Sequence, residues 1–156
     1  MNNKEVLITQ EGKEALEAEL KHLIEVEKPA NIIALEEARG QGDLSENADY
    51  DAARDDQTRI EKRIREIQEI LKYAKIIEKD NSDLVSAGKD ISILYLGINK
   101  QFDFKLVGTT EADPFNKKVS IESPLGRSLV GKKTNDVVSF RSESGHTYEV
   151  KILSVI

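Results

Sequence analysis

Gly42-Asp43-Leu44-Ser45-Glu46-Asn47-Ala48-Asp49-Tyr50 is a short acidic turn set between two long helical patterns. A connection of a few residues forces the flanking helices to run antiparallel. The turn then sits at the end of a helical hairpin. Its carboxylates are held out on a rod, which suits a task performed inside another molecule's cleft.

Outward on the C-terminal side, Ile60, Ile64, Ile67, Leu71 and Ala74 recur at spacings of four and three. This is a heptad-type seam flanked by charged residues, and its register extends back to Ala53. On the N-terminal side, Val6-Leu7-Ile8-Thr9 leads into a helix with Thr9 as its expected N-cap. Leu16, Leu20, Leu23 and Ile24 share a face. Pro29 interrupts that arm, so the helix kinks there or two helices meet there. Ala30, Ile33 and Ala34 then resume an apolar face up to Arg39, and Gly40 and Gly42 end it. Arms of roughly 30 residues make a rod on the order of 45 Å long. Ala48, Ala52 and Ala53 allow close approach near its tip.

Composition agrees with a slender, solvated molecule. A third of the 156 residues are charged and only 5% are aromatic. No Cys is present, which excludes disulfides and thiolate metal sites and fits a reducing compartment. No apolar run is long enough to span a bilayer, and Met1 to Glu5 does not read as a signal peptide. The expectation is a cytoplasmic protein without a membrane partner. The net charge of -6 argues against independent DNA binding. The acidity is densest between Asp43 and Asp56.

From Asp80 the pattern changes. Asp80-Asn81-Ser82-Asp83 reads as a polar linker. Short β-type runs come next at 91–96, 102–107, 118–121, 137–140 and 148–156, several alternating apolar and polar residues. Pro124 to Gly131 reads as a short helix ended by glycine. The fold class is therefore α+β. A coiled-coil domain spans 1–79, with its acidic tip at 42–47, and an antiparallel β-sheet domain with a short helix spans 80–156.

Asp43 and Glu46 admit two readings. Their three-residue spacing suits a capping box at the start of the second arm. It also suits a partial site for a hard cation such as Mg²⁺, which takes few protein carboxylates and further ligands from elsewhere. Asp49, Asp51, Asp55 and Asp56 read as a solvated face. Arg39 and Arg54, near the tip on opposite arms, are either ordinary surface charges or a small basic spot for a phosphate backbone. Tyr50 packs at the narrow end or stacks on a base. His22 and His146 lack companions for a zinc site. Neither a nucleophile elbow nor a phosphate loop is present, so the chain does not read as a self-sufficient enzyme.

Ala38 through Arg54 closely resembles the tip signature of the GreA/GreB family of bacterial transcript cleavage factors. Val119-Ser120-Ile121-Glu122-Ser123-Pro124-Leu125-Gly126-Arg127-Ser128-Leu129-Val130-Gly131-Lys132 is similar to the family's C-terminal segment, and Leu7 to Gly12 to its start. The resemblance implies an N-terminal antiparallel coiled coil and an FKBP-like C-terminal domain. It further implies a monomeric transcription elongation factor whose partners are bacterial RNA polymerase and the nascent RNA 3′ end. On the same resemblance, the coiled coil is expected to enter the polymerase secondary channel and to stimulate cleavage of backtracked RNA by the polymerase itself. Under this reading no cofactor is bound stably. Asp43 and Glu46 help hold an Mg²⁺ ion shared with the polymerase active site. Leu44, Ser45, Asn47 and Tyr50 support the tip, Arg39 and Arg54 face the RNA, and Glu122, Ser123 and Pro124 belong to the docking region. Phe102 and Phe104 depart from the more polar or Tyr-containing sequence of the family. The small basic spot points to the type acting on shortly backtracked complexes. Two rival expectations are a channel-binding inhibitor without cleavage activity and a peptidyl-prolyl isomerase or chaperone.

Overall fold

A computed structural model of the chain describes residues 4–43 and 47–156. The described chain divides into a helical unit, Lys13–Tyr73, and a second unit that joins the N-terminal segment through Gly12 to Ala74–Ile156.

The helical unit contains most of α1 (Gln10–His22), a π turn at Leu23–Glu27, α2 (Lys28–Gly40) and α3 (Ala48–Lys72). Its cross-links pair rising positions on one arm with falling positions on the other. Glu19 meets Arg63, Glu27 meets Arg59, Asn31 meets Ala53, and Asn47 reaches Ala38. The arms are therefore antiparallel. Leu23, Ile60 and Ile67 form the buried seam, and Leu16, Leu20, Ile64 and Leu71 pack against it.

A helix boundary stands at Pro29, as one of the two expected readings had it. The proline lies in the first turn of α2, where a missing N–H costs least, directly after the π turn. A π turn inserts extra backbone into a helix and rotates the residues beyond it about the axis. That rotation corrects the expected apolar face. Ala30, Ile33 and Ala34 are exposed, as is Ile24, and the arm turns Asn31, Leu35 and Ala38 inward instead. Near the tip only Ala53 of the three expected alanines is buried; Ala48 and Ala52 face outward. Ala74 also leaves the seam, because α3 ends at Lys72 and Ala74 opens a strand.

Asn31 is the buried polar residue of the seam. Its Nδ2 donates to the Ala53 carbonyl at 2.9 Å, and the residue is 5% exposed. A polar side chain in an apolar seam fixes register, because any slip strands its donor in a dry environment. The Arg63 guanidinium adds a two-pronged contact to Glu19, at 2.6 and 2.9 Å. That ion pair is substantially exposed, so its contribution is modest.

In the second unit, β1 (Val6–Ile8) pairs in parallel with β2 (Ala74–Ile76). Residues 6–8, expected only to lead into a helix, thus form a strand that is closed by the chain returning from the hairpin. Beyond them lies a five-stranded sheet in the order β5-β4-β3-β7-β6. Its strands are β3 (Asp90–Tyr95), β4 (Lys100–Val107), β5 (Lys118–Ser120), β6 (Val137–Arg141) and β7 (Thr147–Val155). The sheet is mixed, which corrects the expectation of a wholly antiparallel one. The chain leaving β4 crosses through two 3-10 turns, Thr109–Glu111 and Pro114–Asn116, so β5 re-enters parallel to β4. Helix α4 (Pro124–Leu129) contributes Leu125 and Leu129 to a core with Ile91, Ile93, Phe104, Leu106, Val150 and Ile152. The α+β class is as expected.

Thr9 caps α1, accepting from the Gly12 N–H at 3.1 Å. The Glu111 carboxylate sits over the same helix end and accepts from the Thr9 N–H at 2.8 Å and from the Thr9 hydroxyl. An anion there complements the helix dipole. A side chain at Gly12 would overlap that carboxylate, which explains the glycine.

The polar cluster after the hairpin is built into the second unit. Lys89, 2% exposed, donates to Asp80 Oδ1 at 2.8 Å and to the carbonyls of Ser82 and Leu84 at 2.6 and 2.7 Å. All three ammonium protons are therefore used. The Lys89 hydrogen bond, helped by Ser82, holds the Asp80 carboxyl well below the usual carboxylate range. A lowered folded-state pKa adds stability above the ordinary aspartate value, about pH 4, and that stability is lost as the pH falls through the folded value.

Two outcomes are expected of this fold. Asn31→Ala should destabilise the hairpin by about 1–2 kcal/mol in urea melts monitored by helical circular dichroism. Asp80→Asn should lower the urea midpoint at neutral pH. It should also flatten the decline of that midpoint between about pH 5 and about pH 2.

Candidate functional site at the hairpin tip

Helix α2 ends on Gly40, and its last carbonyls are taken by the Gln41 and Gly42 N–H groups. Gly42 has a φ of +107°, a region that side chains rarely tolerate, so glycine permits the turn. Asp43 comes next and is exposed. Leu44, Ser45 and Glu46, expected at the site, lie outside the described residues.

The first residue of α3 is Ala48, and its N-cap is Asn47. The Asn47 side-chain oxygen accepts from the Tyr50 N–H at 3.1 Å. Its Nδ2 donates to the Ala38 carbonyl on the opposite arm at 2.7 Å. One side chain thus starts α3 and ties it to the end of α2. This corrects the capping-box reading: the cap is Asn47 and not Asp43. Asp43 and Asp49 instead border the same open depression of about 330 Å³, together with Gln41, Asn47 and Ala48. The expectation for Asp49 is a place on a solvated face. Asn47 as N-cap reveals its position, because Asp49 then falls in the first helical turn beside the loop.

Basic residues gather at the same end of the helical unit. Arg54 lies one helical turn after Tyr50 and donates from Nη1 to its hydroxyl at 3.3 Å. The Arg54 guanidinium stands 6.0 Å from the Tyr50 ring centre, and that of Arg39, from the other arm, stands 5.9 Å from it. Both distances fit cation–π contacts. Hydrogen bonding to Arg54 first, then to Arg39, lowers the Tyr50 phenol pKa below its usual value.

The fold gathers Arg39, Asp43, Asn47, Tyr50 and Arg54 at one end of the helical unit. Glu122, Ser123 and Pro124 lie in the sheet unit. Ser123 is the N-cap of α4, accepting from the Gly126 N–H at 3.0 Å, and Pro124 takes the first helical turn. Glu122 accepts from the Thr109 hydroxyl at 2.8 Å and borders a groove of about 270 Å³ beside β1.

Among the described residues no group of three His, Cys, Asp or Glu side chains could hold a metal ion. Asp43 offers a hard oxygen donor at an exposed position. No helix of the described residues is long and apolar enough to cross a membrane.

Residues 6–76 match the family model described as transcription elongation factor, N-terminal, and residues 79–156 match transcription elongation factor, GreA/GreB, C-term. The chain is 50% identical over 149 residues to transcription elongation factor GreA of Acholeplasma laidlawii, covering 95% of this chain and 94% of that one. It is 44% identical to the GreA of Mycoplasma mycoides, covering 98% and 99%. It is 41% identical to that of Geobacillus kaustophilus, covering 99% and 98%.

The tip geometry has a direct spectroscopic consequence. In a carbon-13 tyrosine titration monitored by NMR, Tyr50 should titrate below the usual value of about 10. Arg54→Gln should move it back toward that value.

Proposed function

The chain belongs to the GreA/GreB family of transcription elongation factors, and on that premise we propose that it rescues stalled transcription by stimulating RNA cleavage within RNA polymerase. The hairpin enters the secondary channel of the bacterial polymerase in the cytoplasm. The sheet unit docks outside, through the region of Glu122, Ser123 and Pro124. The polymerase supplies the active site, so the factor is not itself an enzyme. The observation that carries this reading is that exposed Asp43 lies at the end of the helical unit where Asn47 joins the two arms and where Arg39 and Arg54 gather at Tyr50.

Each part of the tip has a role. Asp43, together with Glu46, supplies oxygen ligands to the second Mg²⁺ of the polymerase. When bound, that ion lowers the pKa of water and offsets charge at the phosphorus. Asn47 ties the start of α3 to the end of α2, so the two helix ends that flank the acidic residues are fixed relative to each other. Arg39 and Arg54 receive the phosphate backbone of the extruded RNA 3′ segment. A chain with net charge -6 gains little from duplex DNA and stays available for the channel.

Backtracked elongation complexes test this reading. The wild-type factor should release short 3′ RNA fragments. Asp43→Ala and Glu46→Ala should each slow release at saturating factor by at least about tenfold, or about 1.4 kcal/mol of barrier. Equal cleavage by wild type and variants would contradict the assigned roles. Slowed synthesis without fragments would favour the channel-binding inhibitor.

A further inference from the structure

Two guanidinium groups on different arms repel each other, and both belong to long, freely rotating side chains. At this tip both are nevertheless held beside one aromatic ring. Arg39, in the last turn of α2, and Arg54, in α3, each lie within about 6 Å of the Tyr50 ring centre. The Tyr50 hydroxyl accepts from Arg54, while the Tyr50 N–H donates to Asn47, whose side chain reaches Ala38 beside Arg39. We propose that Tyr50 is a positioning residue: its ring and hydroxyl gather Arg39 and Arg54 from opposite arms into one pre-formed receptor for an RNA phosphodiester. The ring's negative face offsets the repulsion between the two cations. Fixing them before the RNA arrives removes an ordering cost from the bound state. Tyr50 therefore acts through the arginines and not by stacking on a base.

This inference deepens the proposed function and rests on it, so its test has an arm independent of cleavage. In the free full-length chain, arginine Nε–Hε resonances report the ring directly. Tyr50→Leu should shift the signals of both Arg39 and Arg54, whereas Tyr50→Phe, which keeps the ring but loses the hydroxyl, should shift them by a clearly smaller amount. Unmoved arginine signals in Tyr50→Leu would overturn the proposal whatever the cleavage result. In backtracked complexes, Tyr50→Leu should lower cleavage at saturating factor about tenfold without changing the half-saturating factor concentration, and Tyr50→Phe should restore most of the rate. Added to Arg39→Gln/Arg54→Gln, Tyr50→Leu should cause no further loss. A full additional loss would overturn the proposal, because Tyr50 would then act on its own. If the wild-type factor and Asp43→Ala cleave alike but the arginine signals move as expected, the assigned cleavage role fails while the positioning geometry stands.

Discussion

The register between the two arms is the constraint on which the rest depends. The apolar seam is thin, with Leu23, Ile60 and Ile67 as its fully buried members. Apolar burial is non-directional and by itself tolerates sliding. Two polar contacts remove that freedom: Asn31 to the Ala53 carbonyl inside the seam, and Asn47 to the Ala38 carbonyl at its end. A slip of one helical turn would displace Arg39 from Tyr50 by about 5.4 Å and leave both amides without their acceptors. The π turn at Leu23–Glu27 is part of the same device, because it rotates Asn31, Leu35 and Ala38 toward the partner arm. Backbone irregularity in the shaft is thus what brings the tip residues into line.

Much of this is legible in the sequence where the signal is local and periodic. The seam of α3 is visible as apolar residues at heptad spacing, and the strands of the sheet as alternating runs between turn residues. The π turn carries no such signal. Leu23 to Glu27 is compatible with an ordinary α-helix, and an ordinary helix there puts Ala30, Ile33 and Ala34 on the wrong face. The β1–β2 pair is hidden for a different reason. Each strand has only three residues, and the partners lie on either side of the hairpin in the sequence. The parallel entry of β5 likewise depends on the path through two 3-10 turns and not on the strand's own residues.

The candidate site is legible as a set of residues, not as an arrangement. Asp43 and Asn47 are both good capping residues, and the choice between them depends on where the helix starts. With Asn47 as the cap, Asp43 and Asp49 border one depression. The grouping of Arg39 and Arg54 around Tyr50 joins residues from two arms, so it emerges only when the register is known. An acidic and a basic side then stand close together on one small end.

The central claim is that the tip completes a metal site that neither molecule holds well alone. The most direct measurement is the Mg²⁺ dependence of RNA cleavage in backtracked complexes at saturating factor. The proposed function predicts that the wild-type chain lowers the half-saturating Mg²⁺ concentration. It predicts that Asp43→Ala returns that concentration to the factor-free value while still occupying the polymerase. The same Mg²⁺ dependence with wild type, with Asp43→Ala and without factor would contradict it.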